Sequence, residues 1–160
     1  MTVAVETDSM EAFSKAAQAI RLNCAGKLIG SATRWSLAPA LIPLPYLDMV
    51  FLAGIQTKLV MDLADLYGQQ ASKEVVSGAI SVLLGTLLPM GAVHATVKLF
   101  PGIGIIVGSA SMAAFGASAT YAVGKVFVRH FEYGGNLANL GVAKLQADLK
   151  NEFVKAASKH

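Results

Sequence analysis

Polar and apolar positions along the chain repeat with the helical period. The clearest case is at the C-terminal end. Val142, Leu145, Leu149 and Phe153 recur at i, i+3, i+7 and i+11, while Lys144, Asp148, Lys150, Glu152 and Lys155 take the remaining positions. That pattern predicts an amphipathic helix that docks by one face. Upstream, residues 45–68 predict a helix that starts at Pro45, where proline suits the first turn, and stops at Gly68. Lys58, Asp62 and Asp65 fall on one narrow arc of it, with Asp48 close by, a solvated stripe or an ion-pair seam. Residues 9–34 predict a first helix, with Asp8 and Glu11 spaced as a capping box and residues 1–8 as a flexible N-terminus. Its Lys15, Arg21, Lys27 and Arg34 do not share one face, so it is expected to meet partners on more than one side.

Two stretches carry almost no charge. After Ser72, a plausible N-cap, residues 75–97 hold no Asp, Glu, Lys or Arg. This exceeds the roughly 20 residues that cross a bilayer core, and an interruption is expected near Pro89. Phe100, Pro101 and Gly102 then turn the chain into a fourth helix over residues 102–131, uncharged from 99 to 124. Gly134 and Gly135 mark the loop before the last helix. No segment alternates with the two-residue period of a strand. The expected fold is all-α: a single domain over residues 1–160, with about five helices and a central hydrophobic hairpin.

Composition pushes this picture toward a membrane. The chain of 160 residues is 54% hydrophobic and 14% charged, with a mean hydropathy of +0.56. Soluble domains carry about 25% charged residues. The net charge is +3 and the pI about 9.1, a mild bias that suits anionic lipid. No dense Lys/Arg stripe suggests nucleic acid. Cys24 is the single cysteine, so neither an intramolecular disulfide nor a zinc pair of cysteines is expected. Glu6, Asp8 and Glu11 stand where a secretion signal needs positive charge, which predicts a cytosolic start.

The candidate chemistry is sparse. A phosphate-binding P-loop fails at both Gly-Lys pairs: Leu28 follows Lys27, Val126 follows Lys125, and Ala119 replaces the first glycine. Gly102 and Gly104 begin a G-x-G-x-x-G, but Val107 occupies the third position. No nucleophile set, acid/base pair, cofactor or metal site is expected. Gly104, Gly108, Met112, Gly116, Thr120 and Gly124 instead form a ridge of mostly small residues at i, i+4 steps, on which another helix can come close. The two readings are packing within the chain, on the third helix, and a self-association face. His94 is a candidate intramembrane polar group. Lys125, Arg129 and His130 close the fourth helix as candidate anchors for lipid head groups.

"LIPLPYLDMVFLAGIQTKLVMDLADLYG" and "KLFPGIGIIVGSASMAAFGASATYAVGKVFVRHFEYGG" carry a resemblance. The first has an I-P-x-P-x-x-D turn, a Q-x-x-L helix and an L-Y-G end. The second has a K-x-x-P-G-x-G start and a T-x-x-x-G-x-x-F-x-x-H-F-E-x-G-G finish. Over roughly residues 10–155 the chain resembles the bacterial family known as domain of unknown function 697, in its stand-alone form. The resemblance implies membrane association and, by analogy alone, a GTPase partner, since in many members the domain follows an Era-like GTPase domain. It implies no catalytic residues.

The expected function is that of a non-enzymatic membrane scaffold, organiser or assembly component, self-associating as a homo-oligomer. It would sit in the cytoplasmic (inner) membrane with both termini cytoplasmic and residues 98–102 at the hairpin tip. The competing readings are a soluble or peripheral bundle that meets a membrane or a protein partner on a trigger, and a small channel or transporter.

Overall fold

The computed structural model describes the backbone of residues 2–37, 47–87, 89 and 103–158, and the side chains of residues 10–37, 50–87, 89 and 112–158. Among these residues there are five α-helices and no strand, so the all-α class holds. They are α1 (Thr2–Trp35), α2 (Leu47–Leu66), α3 (Lys73–Gly85), α4 (Ile103–Glu132) and α5 (Val142–Ala157). A short 3₁₀ turn at Leu137–Asn139 precedes α5.

Local chemistry sets most helix ends. Past α2, Gly68 takes a φ of +66°, and Gln69 N–H reaches back to the Ala64 carbonyl at 2.8 Å. Gly134 does the same past α4, with a φ of +74° and Gly135 N–H on the His130 carbonyl at 2.9 Å. Both are left-handed stops that a side chain would strain. Ser72 caps α3 by accepting from Val75 N–H, as its position predicted. The start of α1 is a correction. The helix begins at Thr2, so Asp8 lies inside it, and Glu11 faces Lys15 at 4.0 Å instead of closing a capping box.

α4 is the central element, packed against α1, α2 and α5, while α3 packs against α2 and α5. One core cluster joins all five helices, through Ile29 of α1, Leu63 of α2, Ile80 of α3, Phe127 of α4 and Leu149 of α5. The turn of the expected hairpin between the third and fourth helices lies outside the described residues; within them α3 packs on α2 and α5. α3 has 13 residues and closes at Gly85, before the interruption expected at Pro89. Among the described residues no helix is long and apolar enough to cross a membrane. His94 and the tip at residues 98–102 lie outside the described residues.

α5 follows its predicted face with two exceptions. Leu145, Leu149 and Phe153 are buried, but Val142 is half exposed, and Glu152, expected outside, is buried. Edge-on contact between Phe153 and Phe115 at 5.2 Å seats the end of α5 on α4.

Candidate functional site

The packing gives the bundle two unlike ends. α2 runs from Leu47 to a turn at Tyr67–Gly68, and α4 reaches that same turn with Glu132, whose Oε1 accepts from Tyr67 Oη at 2.6 Å. Gln18 of α1 donates to Glu132 Oε2 at 2.6 Å, and the Arg21 guanidinium lies 5.6 Å from the Tyr67 ring centre. Burial pushes the Glu132 carboxyl up, but the hydrogen bonds from Tyr67 and Gln18 and the Arg21 charge outweigh it and hold it below the ordinary value of 4.5. Burial first, then the bond to Glu132, push the Tyr67 phenol above its usual range. This is the polar end, where three helices are tied by side-chain hydrogen bonds.

At the other end charges thin out to Arg34, in the last turn of α1, and Asp48, in the first turn of α2. α1 closes at Trp35, α2 opens at Leu47, and no charged residue stands between Arg34 and Asp48. Trp35 is 64% exposed there, and Leu37, Val50 and Phe51 are exposed with it. Gly116 of α4 faces the Ser36 carbonyl and Leu52, so α4 runs on from that level to Ile103, about 20 Å of uncharged helix. α3 points its uncharged C-terminal turn the same way, because it runs back along α2.

Between the ends, the small-residue ridge of α4 is used inside the chain. A Cβ at Gly124 would stand 2.6 Å from Ile29 Cγ1, closer than real side chains approach, so α1 seats against bare backbone here. Thr120, fully buried, accepts from Gln56 Nε2 at 3.3 Å. The described part of the ridge, Gly116, Thr120 and Gly124, thus meets α1 and α2, whereas the sequence reading had placed α3 there. Gly104 and Gly108 lie in the first turns of α4, where side-chain surroundings are not described.

The three residues expected to face head groups separate. Lys125 is exposed. Arg129 donates from Nη2 to Glu152 Oε1 at 2.6 Å, and Lys155 stands 3.6 Å from the same oxygen. The bond to Glu152 raises the guanidinium further. In turn the bond from Arg129, against burial and with help from Lys155, holds the Glu152 carboxyl below its usual range. His130 turns away: its Nε2 meets the Asn136 carbonyl at 2.9 Å, and its ring fills the space a side chain at Gly135 would need. Lys125, Arg129 and Lys155, with the single carboxylate of Glu152, line a hollow of about 700 Å³ between α1, α4 and α5. Thr33 and Ser118 line it too, and their buried hydroxyls have no hydrogen-bond partner among the described residues. Sequence reasoning missed Glu152 and Ser118. For Glu152 a signal was present, because it falls between Leu149 and Ala156 on the apolar face of α5.

Among the described residues no group of three His, Cys, Asp or Glu side chains is placed to hold a metal ion. The polar pairs inside the bundle join the two motif blocks to each other: Gln56 to Thr120, and Tyr67 to Glu132. Such bonds fix helix register.

Comparison with known proteins adds three findings. The family described as "Domain of unknown function (DUF697)" matches residues 6–158. Magnetosome membrane protein 22 of Magnetospirillum gryphiswaldense is 32% identical over 124 residues, covering 75% of this chain and 64% of the relative, so the chain spans somewhat less than two thirds of that protein. No solved structure matches.

Proposed function

The chain belongs to the family described as domain of unknown function (DUF697), and from that premise we propose that it is a non-enzymatic, membrane-associated helical scaffold, attached by the uncharged end of its bundle. The observation that carries this reading is the exposure of Trp35, Leu37, Val50 and Phe51 together at that end. An exposed apolar patch of this kind marks a contact site, and an aromatic residue with one polar edge suits the head-group boundary. Residues 35–47, 75–97 and 99–124 carry no Asp, Glu, Lys or Arg. The relative's name as a magnetosome membrane protein agrees with it. An organising role agrees with polar groups that bond to one another across helices. The same proposal places the protein on the cytoplasmic face of the inner membrane, termini inside, self-associated. A GTPase partner rests on family analogy alone.

The deciding experiment is fractionation of expressing cells, followed by a carbonate wash. Recovery with the membranes before the wash is the expected result. Retention after it places the uncharged end deep in the bilayer, and release places it at the surface. Recovery wholly in the soluble fraction before any wash overturns the reading.

A further inference from the structure

The hollow between α1, α4 and α5 has a composition unlike the rest of the surface. Lys125, Arg129 and Lys155 face one carboxylate, Glu152, which leaves an excess of two positive charges. Glu152 is itself engaged by Arg129 at 2.6 Å and by Lys155 at 3.6 Å, so it acts as a brace that holds two cations side by side. The guanidinium has five N–H donors, more than this one bond uses. Asp148, the next carboxylate along α5, lines a different hollow on the other side of Arg129.

A second observation points to a ligand. Ser118 is 2% exposed, lines this hollow, and its Oγ has no hydrogen-bond partner among the described residues. Thr33 Oγ1, across the hollow on α1, is in the same state. A buried hydroxyl without a partner is costly, typically about 1–3 kcal/mol, and Ser118 or Thr33 can recover it by turning to an acceptor in the hollow. An acceptor-only group with several oxygens and more than one negative charge suits a guanidinium and two ammonium groups, and a phosphate ester has that chemistry.

We propose that this hollow binds the phosphate ester of an anionic phospholipid head group. Its position suits that ligand. From Arg129 through Lys125 and Tyr121 to Ser118, the lining of α4 runs from charged toward the uncharged end, where Trp35 is exposed. A lipid with its phosphate among the cations would direct its acyl chains along that axis. The proposal takes its ligand source from the membrane reading above, but the anion chemistry of the hollow stands apart from it.

The test uses the whole chain and two probes. Vesicles of phosphatidylcholine, with and without phosphatidylglycerol, are floated with the wild type and with Lys125→Glu, Lys155→Glu, Ser118→Ala and Lys73→Glu. Glycerol 3-phosphate is titrated separately against the same proteins. Preference for the anionic vesicles is expected, lowered about tenfold by either groove reversal and about threefold by Ser118→Ala. Lys73→Glu, on α3 and outside the lining of the hollow, should change it little, and the melting temperature of Ser118→Ala should not fall below the wild type. Equal loss from Lys73→Glu and Lys125→Glu would mean general surface attraction and overturn the site. So would equal binding to both vesicles together with no response to glycerol 3-phosphate. If the wild type floats with neither vesicle, the membrane reading has failed. The site then stands, with a soluble ester as ligand, if glycerol 3-phosphate binds and Lys125→Glu abolishes it; otherwise it falls.

Discussion

The two ends of the bundle are built from the same five helices but held by different forces. At the polar end Gln18 of α1, Tyr67 of the turn after α2 and Glu132 of α4 meet through two hydrogen bonds of 2.6 Å. At the other end Trp35, Leu37, Val50 and Phe51 stand exposed around helix ends whose nearest charges are Arg34 and Asp48. One end is tied by polar bonds between helices. The other presents apolar surface that a further apolar phase would cover. The contrast teaches that low charge content here is not spread evenly but sorted along the bundle axis, and sorting gives the molecule a direction.

The strongest way to break the contrast is at its dividing line. Gly124→Leu puts a branched side chain where Ile29 already lies 2.6 Å from a bare Cβ position. It should push α1 away and cost about 3 kcal/mol or more. Thermal denaturation would show a large fall in midpoint; an unchanged midpoint would mean that α1 is not seated on α4.

Next comes the uncharged end. Trp35→Ser with Phe51→Ser should leave stability within about 1 kcal/mol, since both side chains are largely exposed. Vesicle affinity should fall by ten- to a hundredfold, the scale of losing two aromatic burials. Flotation reads this directly, and undiminished binding would move the attachment elsewhere.

The smallest effect is at the polar end. Glu132→Gln removes a charged acceptor from two hydrogen bonds and should cost about 1 kcal/mol at neutral pH. The Glu132 and Glu152 carboxyls are held below the ordinary Glu value of 4.5 in the folded state. Their contribution is therefore present above about pH 4.5 and lost as pH falls through the lower folded values. The wild type should lose stability on that acid branch, and Glu132→Gln should flatten it. An identical acid branch in both would remove Glu132 from the account.

Legibility in the sequence followed how local each signal was. Gly68, Ser72 and Gly134 act within a few residues, and each lies where the pattern placed it. The apolar face of α5 was readable at Leu145, Leu149 and Phe153 for the same reason. Partners were not readable. Small residues at Gly116, Thr120 and Gly124 announce a close neighbour, but nothing local says whether it is α1, α2 or α3. Glu152 looked solvated because its partner, Arg129, lies on α4, and only the register of α4 against α5 brings them to 2.6 Å. The length of residues 75–97 suggested a span, yet α3 stops at Gly85 and folds back on α2 and α5. Hydropathy reports apolar surroundings and not whether protein or lipid supplies them.

α1 is the longest helix, 34 residues against 20 in α2. Its first tie to the bundle in the polar network is Gln18, so the turns from Thr2 to that point extend about 24 Å. Met10 and Phe13 on this stretch are exposed. A module joined at that terminus would be carried on a rod, not a tether. Its distance would be fixed by residue count and its bearing by helical phase. Adding or removing one residue there should swing such a module by about 100° while moving it only about 1.5 Å.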